Sequence, residues 1–507
     1  MARSKTNQSD YVTLFAAALL VAIGGLIYEL ILGTAASYLL GDSILSFSLA
    51  TGITLFGMGI GSLLATRITW HPVKSFAINE LVLGVIGGNS VLLLYMAFNF
   101  TQLHWVAFGS ISLVIGVLIG MEIPLLVKLF QQLGRPSSAE LLGKILALDY
   151  FGALIASLAF PLLLLPHLGL LRSAYIVAFL NSVVAILMLL QLKSSRPLLA
   201  GGIAIAVLLG CLGIWAYDIE RAIDRKVYRD PVILQQQSAY QKIVLTKYGD
   251  DLRLFLNNNL QFSSLDEARY HETLAGAALT SVPQPRRVLI MGGGDGLLAR
   301  EVLRYPTVTH ITLVDIDPAV TELARTHPAV STLNRHALQD ARVNIVNEDA
   351  FVFAFRTRQK YDAVLIDLVD PSNERLAKLY SRQFYQRVAD IITSQGVMVT
   401  QATSSFFTPH AFGSVVATVR AAQPTTQVLP FSVNIPSFGE WGFVLATRTP
   451  QHIATQPLPA GLSYQTAARL QFSLLSQPAT PPAGKVSTVL QPHIITAYTR
   501  DMRQWRY

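Results

Sequence analysis

Charge is what this sequence has least of. Among 507 residues, 14% are charged and 52% hydrophobic, a balance that excludes an ordinary soluble chain. Cysteine is nearly absent: Cys211 alone, inside an apolar run, rules out an intramolecular disulfide framework and a thiolate metal cluster. The ten histidines show no HExxH or Cys-paired spacing, so no metal is expected. The formal charge of +8 comes without a basic stripe interleaved with aromatics, and nucleic acid is not an expected partner. Much of that charge lies in short segments between apolar runs, as membrane topology requires.

What is abundant is long apolar sequence, nearly all of it before about residue 217. Stretches near the roughly 20 residues that cross a bilayer recur at 11–32, 44–66, 79–99, 104–127, 145–166, 170–192 and 198–217. A polytopic α-helical membrane domain of about seven transmembrane helices is therefore expected over 1–217, in a bacterial inner membrane, with lipid as a partner. The first stretch is not a cleaved signal, because further spans follow at once. Gly57, Gly59 and Gly61 suit close approach between helices. Arg3, Lys5, Arg67, Lys74, Lys128, Arg135, Lys144, Lys193 and Arg196 fall in alternate connections and place the N-terminus in the cytoplasm. Seven crossings would then export the remainder, whereas Arg221, Arg225, Lys226 and Arg229 directly after the last span argue for a cytoplasmic location. Glu29, Glu122 beside Pro124, and Asp149 lie within apolar runs. An acid-lined path for cations and hydrogen bonding between helices both account for them.

From about Tyr228 the pattern changes. Short strands at Val232–Gln237, Lys242–Tyr248 and Leu252–Leu256, with a turn at Asn257–Asn258–Asn259, predict a small β domain over 218–284. Asp266–Thr280 has helical periodicity. A buried-strand run at Arg287–Met291 leads into Gly292–Gly293–Gly294–Asp295–Gly296 and then a helix, the arrangement in which glycine lets backbone approach a nucleotide. Further strands end at Asp315, before Asp349–Ala350, and at Asp367. Strands alternating with helices over 285–450 imply a doubly wound, Rossmann-like parallel sheet of the class I methyltransferase type. Asp295, Asp315, Asp349, Asp367 and Asp370 would gather at its carboxyl edge. An acid inside the glycine loop is unwelcome beside a diphosphate but suits a cationic sulfonium nucleoside. Asp317, followed by Pro318, can cap a helix or bind. Residues 451–507 read as a loop-rich extension, Pro-rich at 477–484, ending in a helix at 494–505.

GGGDG at 292–296, VDID at 314–317, Asp349–Ala350 and DLVDP at 367–371 resemble, in order, the motif set of the spermidine synthase family. Gln241, Gln261, Tyr270–His271–Glu272, Tyr380–Ser381 and PSFGEWGF at 436–443 continue the match over roughly 230–448. The membrane part resembles the bacterial subgroup that fuses transmembrane helices to this domain. The resemblance implies aminopropyl transfer from decarboxylated S-adenosylmethionine, a co-substrate and not a tightly bound cofactor, to a diamine such as putrescine. It assigns Asp367 as base with Tyr270 beside it, and Gln241, Gly292, Gly294, Asp295, Asp315, Asp349 and Ala350 to the donor. His271, Asp370 and Gln261 fall to the amine, and a homodimer through the catalytic domain is compatible with it. Leu368–Val369 and Ser372–Leu379 depart from the family's pattern and leave the amine open. A methyltransferase-like enzyme, and a polyamine transporter or sensor with a binding-only domain, are the alternatives.

Overall fold

The computed structural model describes residues 8–40, 43–101, 103–132, 139–191, 195–423, 426–476 and 479–505. Arg3, Lys5, Arg135, Lys193 and the start of the Pro-rich stretch, Gln477 and Pro478, lie outside them. The chain divides into two compact units, Met1–Arg229 and Asp230–Tyr507.

The first unit is all helix: α1 (Gln8–Leu40), α2 (Ser43–Arg67), α3 (Pro72–Phe100), α4 (His104–Gln132), α5 (Ala139–Ala159), α6 (Leu165–Gln191) and α7 (Arg196–Val227). Six helical stretches are long and apolar enough to cross a membrane, the fifth being the 53 residues Ala139–Gln191. That stretch is two helical passes. A Cβ on Gly152 would lie 2.8 Å from Ala22, while Asn181 reaches Gly24, two residues on along α1. A straight helix would separate positions 152 and 181 by about 44 Å. The chain instead turns back near Gly169, whose φ of 70° and ψ of −178° are open to glycine. The seven expected apolar segments are thus present as helices.

The glycine pattern works as expected on one face. A Cβ on Gly61 would lie 1.9 Å from the Val117 carbonyl oxygen, and one on Gly120 would lie 2.1 Å from that of Met58, so α2 and α4 touch backbone to backbone. Pro124 cannot donate to the Gly120 carbonyl, and the Ser62 hydroxyl takes that bond at 2.9 Å. Of the three acids expected in apolar runs, Glu29 accepts from Thr51 across to α2 at 2.6 Å. Asp149 is half-buried and Glu122 buried.

The second unit opens with a four-stranded antiparallel sheet, β1 (Val232–Gln237), β2 (Lys242–Tyr248), β3 (Asp251–Leu256) and β4 (Asn259–Ser263). Asn257 and Asn258 make its last turn at φ 49° and 66°. After α8 (Glu267–Leu279) comes a seven-stranded sheet ordered β10-β11-β9-β8-β5-β6-β7. Its strands are β5 (Arg287–Gly292), β6 (His310–Asp315), β7 (Val343–Asn347), β8 (Tyr361–Asp367), β9 (Ile392–Ser404), β10 (Gln427–Ile435) and β11 (Gly439–Thr447). Helices α9 (Leu297–Leu303), α10 (Pro318–Thr326), α11 (Pro328–Leu333) and α12 (Ala350–Arg356) cross between the parallel strands. The chain winds from β5 through β6 to β7, then returns to β8 on the other side of β5. The carboxyl ends of β5 and β8 therefore flank the switch point where such sheets bind ligands.

Gly61→Val is expected to destabilise the detergent-solubilised protein by about 1–3 kcal/mol. Gly59, with nothing within 4 Å of a Cβ, should accept valine with little change in melting temperature. Equal losses in the two variants would contradict the α2–α4 contact.

Candidate active site

Two strand ends are brought together by the glycine turn. Gly292 sits at φ 85°, and a Cβ there would lie 1.9 Å from the Asp367 carbonyl oxygen. The Gly293 amide donates to that carbonyl at 3.2 Å. One residue on, the Gly294 amide donates to Asp315 Oδ2 at 3.1 Å. The loop thus fixes Asp367 on one neighbouring strand and Asp315 on the other. Asp295 Oδ1 accepts from the Leu297 amide at 2.9 Å, in the first turn of α9.

Helix α8 supplies the opposite wall. Tyr270 donates from Oη to Asp367 Oδ1 at 2.6 Å, its ring seated against Phe443 at 5.1 Å between centroids. Next to it, His271 Nδ1 lies 2.7 Å from Glu267 Oε2, one helical turn back. Glu267 also receives Arg300 Nη2 at 2.9 Å on both oxygens. This buried Arg–Glu–His chain orients the imidazole towards the acids.

The electrostatics follow from burial. Burial opposes a charge on His271, but the hydrogen bond and charge of Glu267 outweigh it, with help from Asp295 and Asp367, and lift its pKa to about 9. Burial pushes Asp295 up to about 6; the charge of His271 counters it and that of Asp367 adds to it. It pushes Asp315 up to about 6 against the amides of Asp317 and Gly294. Asp367 is also raised by burial, and is held back by His271 and Tyr270. Tyr270 is driven well above the usual phenol range by burial and then by Asp367, so it acts as a donor to that carboxylate. Acids held together at this cost bind cations well, because each arriving positive charge relieves them.

Asp370 joins this group from three residues beyond Asp367. Its Oδ2 accepts from Tyr498 Oη at 3.1 Å, and Gln401 also lies against the carboxyl. Burial pushes it up to about 6 against the Tyr498 and Gln401 bonds. Asp349 caps α12, accepting from the Phe351 amide at 2.8 Å, and pairs with Lys378. Ala350 is buried at the start of that helix. Gln241 Nε2 donates to Asp317 Oδ2 at 2.9 Å. Gln261 Nε2 donates to the Asn259 carbonyl at 3.0 Å on β4, and the described contacts do not tie it to the carboxylates. Among the described residues, no three His, Cys, Asp or Glu are grouped to hold a metal ion.

Asp317 takes the capping role, one of its two expected readings, accepting the Ala319 amide at 3.0 Å. Several supports escaped the sequence. The second oxygen of Asp317 accepts from Ser238 Oγ at 2.7 Å, tying the first sheet to the second. Asp266 accepts from the amide and hydroxyl of Ser437 at 2.6 and 2.8 Å, joining α8 to the 436–443 motif. Glu272 accepts the amides of Ser463, Tyr464 and Gln465 at 2.7, 2.8 and 2.7 Å. The C-terminal helix His493–Arg503 carries Tyr498 and is fastened by Asp501 to the His410 amide at 2.8 Å. The extension is thus built into the site's surroundings.

Comparison with known proteins gives one answer. The family model described as "Spermine/spermidine synthase domain" matches residues 267–456. Polyamine aminopropyltransferase 1 of Streptomyces coelicolor is 44% identical, over 85% of this chain and 83% of its own. The polyamine aminopropyltransferase of Leptospira interrogans is 40% identical over 86% and 88%. That of Mycobacterium tuberculosis is 40% identical over 97% and 95%, spanning the helical unit as well.

Glu272→Ala would strand three backbone amides, a loss of about 3 kcal/mol or more. Cleavage within 455–466 under limited proteolysis should then precede loss of the sheet core. Unchanged protection of that segment would contradict the clamp.

Proposed function

The chain belongs to the polyamine aminopropyltransferase (spermidine synthase) family, and we propose how its carboxylates carry that family's reaction here. The enzyme transfers the aminopropyl group of decarboxylated S-adenosylmethionine to a diamine such as putrescine, giving spermidine and methylthioadenosine. The amine nitrogen attacks the carbon beside the sulfonium, the carbon–sulfur bond breaks, and a neutral thioether leaves. The leaving group is already activated, so the protein must mainly align the partners and take a proton.

Asp367 is the group that takes it. The observation carrying this reading is the 2.6 Å bond from Tyr270 to Asp367 Oδ1 at the switch point, which leaves Oδ2 to face an amine. Asp370 holds the acceptor's distal ammonium, and His271 completes the amine side; Gln261, on β4, is assigned there by motif order alone. Asp295 receives the ammonium of the aminopropyl arm and would repel the carboxylate of ordinary S-adenosylmethionine. Asp315 takes the ribose, Asp349 and Ala350 the adenine, and Gln241, Gly292 and Gly294 the remaining donor surface. Six apolar helical stretches support attachment to a membrane, and we place it in the bacterial inner membrane. Arg221, Arg225, Lys226 and Arg229, at and just beyond the end of α7, support a cytoplasmic catalytic unit, which with a cytoplasmic N-terminus requires that one of the seven helical segments does not cross. A homodimer through that unit is the assembly we expect.

Asp367→Asn should lower kcat by about 10²–10⁴ while donor Kd changes little; lost donor affinity would overturn the assignment. Asp295 accepts protons as pH falls through about 6, so donor binding should weaken there, and less so in Asp295→Asn. A donor Kd flat from pH 5 to 8 in the wild type would contradict its role.

A further inference from the structure

Four helices of the membrane unit enclose polar side chains that carry unpartnered polar atoms among the described residues. Glu80 on α3 is 0% exposed, Glu122 on α4 4%, Tyr28 on α1 0% and Asn181 on α6 1%. Tyr28 is held inward because α3 offers Gly87, where a Cβ would come within 2.5 Å of its ring. Asn181 rests against Gly24 in the same way, with Oδ1 2.9 Å from a Cβ there. Asn79 Nδ2 donates to the Leu118 carbonyl at 3.1 Å, which sets Asn79 and Glu80 beside the α4 turn that carries Glu122. Tyr28 stands within electrostatic range of both glutamates, and Glu122 within range of Glu80 and Asp149.

Acceptors dominate. Glu80 Oε2, Glu122 Oε1, Asn79 Oδ1 and Asn181 Oδ1 are buried without a partner among the described residues, as are the Tyr28 hydroxyl and Asn181 Nδ2. The lysines of α4 and α5 are committed elsewhere. Lys128 donates to the Ala65 and Ile68 carbonyls at 2.6 Å, and Lys144 pairs with Glu140. Protonating both acids would remove their charge but leave the Asn181 amide and Tyr28 hydroxyl unsatisfied. In a bilayer such groups persist where a ligand or relay repays them.

We propose that the membrane unit holds a binding site for a protonated primary amine, built by Glu80, Glu122, Tyr28, Asn79 and Asn181. An ammonium supplies one positive charge and three N–H donors, matching an acceptor-rich cluster with two carboxylates. No group of three or more metal-type ligands is present among the described residues to favour a metal ion instead. The proposal rests on the membrane unit alone and is independent of the roles assigned to the catalytic acids.

The test is equilibrium binding of radiolabelled putrescine and spermidine to the full chain in phosphatidylcholine nanodiscs. The wild type should show two classes of site. Glu80→Gln/Glu122→Gln should lose one class while aminopropyl transfer stays within about twofold, the substitution being in the other unit. Tyr28→Phe keeps the ring against Gly87 and should weaken the same class by about fivefold or more. It decides the matter if the double variant fails to fold. An isotherm unchanged by these variants, or displacement of the amine by equimolar sodium, would overturn the proposal and leave the glutamates to protons or metal cations.

Discussion

Everything at the candidate active site hangs on the contact between the ends of β5 and β8. With no side chain at Gly292, the Asp367 carbonyl can approach to a position that a Cβ would occupy, and the Gly293 amide bonds it at 3.2 Å. A methyl group at position 292 would part the strands where the strand order reverses. Asp367 would move away from Tyr270, and the loop would carry Asp295 and the Gly294–Asp315 bond with it. Glycine here is a requirement of distance and of backbone conformation together.

Around that contact the protein gathers like charges and then restrains them. Asp295, Asp315, Asp367 and Asp370 are all pushed upward by burial, a costly arrangement for an empty site. The opposing charge comes through His271, kept cationic by Glu267, which Arg300 holds in turn. On the roles proposed for these acids, a cationic donor and a cationic acceptor would relieve the same repulsion, so affinity for both would be stored in the fold before either arrives. The departures at Leu368–Val369 and Ser372–Leu379 fit this scheme: the segment turns helical at Glu374–Ala377, and Lys378 reaches back to Asp349.

The sequence exposed the parts that local pattern encodes. Apolar length revealed the helices, the glycine turn revealed β5 and its partner acids, and motif order revealed the family. It did not reveal which acids serve structure. Asp317, Asp266 and Glu272 lie in or beside family motifs, yet they bind backbone or side chains up to 193 positions away, and separations of that kind leave no periodic trace. Tyr498 was invisible for the same reason, since its partner Asp370 is 128 positions distant. In the membrane unit Glu80 went unnoticed at the edge of an apolar run, because only packing shows that it faces Glu122 and not a headgroup. The reversal at Gly169 could be read as a gap between two runs, but its sharpness depends on a left-handed φ.

The central claim is that these acids select a donor without a carboxylate. Titration of the purified full chain with decarboxylated and ordinary S-adenosylmethionine tests it most directly. The account predicts at least about a hundredfold tighter binding of the decarboxylated form, equivalent to about 2.7 kcal/mol, with the gap narrowing in Asp295→Asn. Equal affinities in the wild type, or a preference for the carboxylated donor, would contradict it.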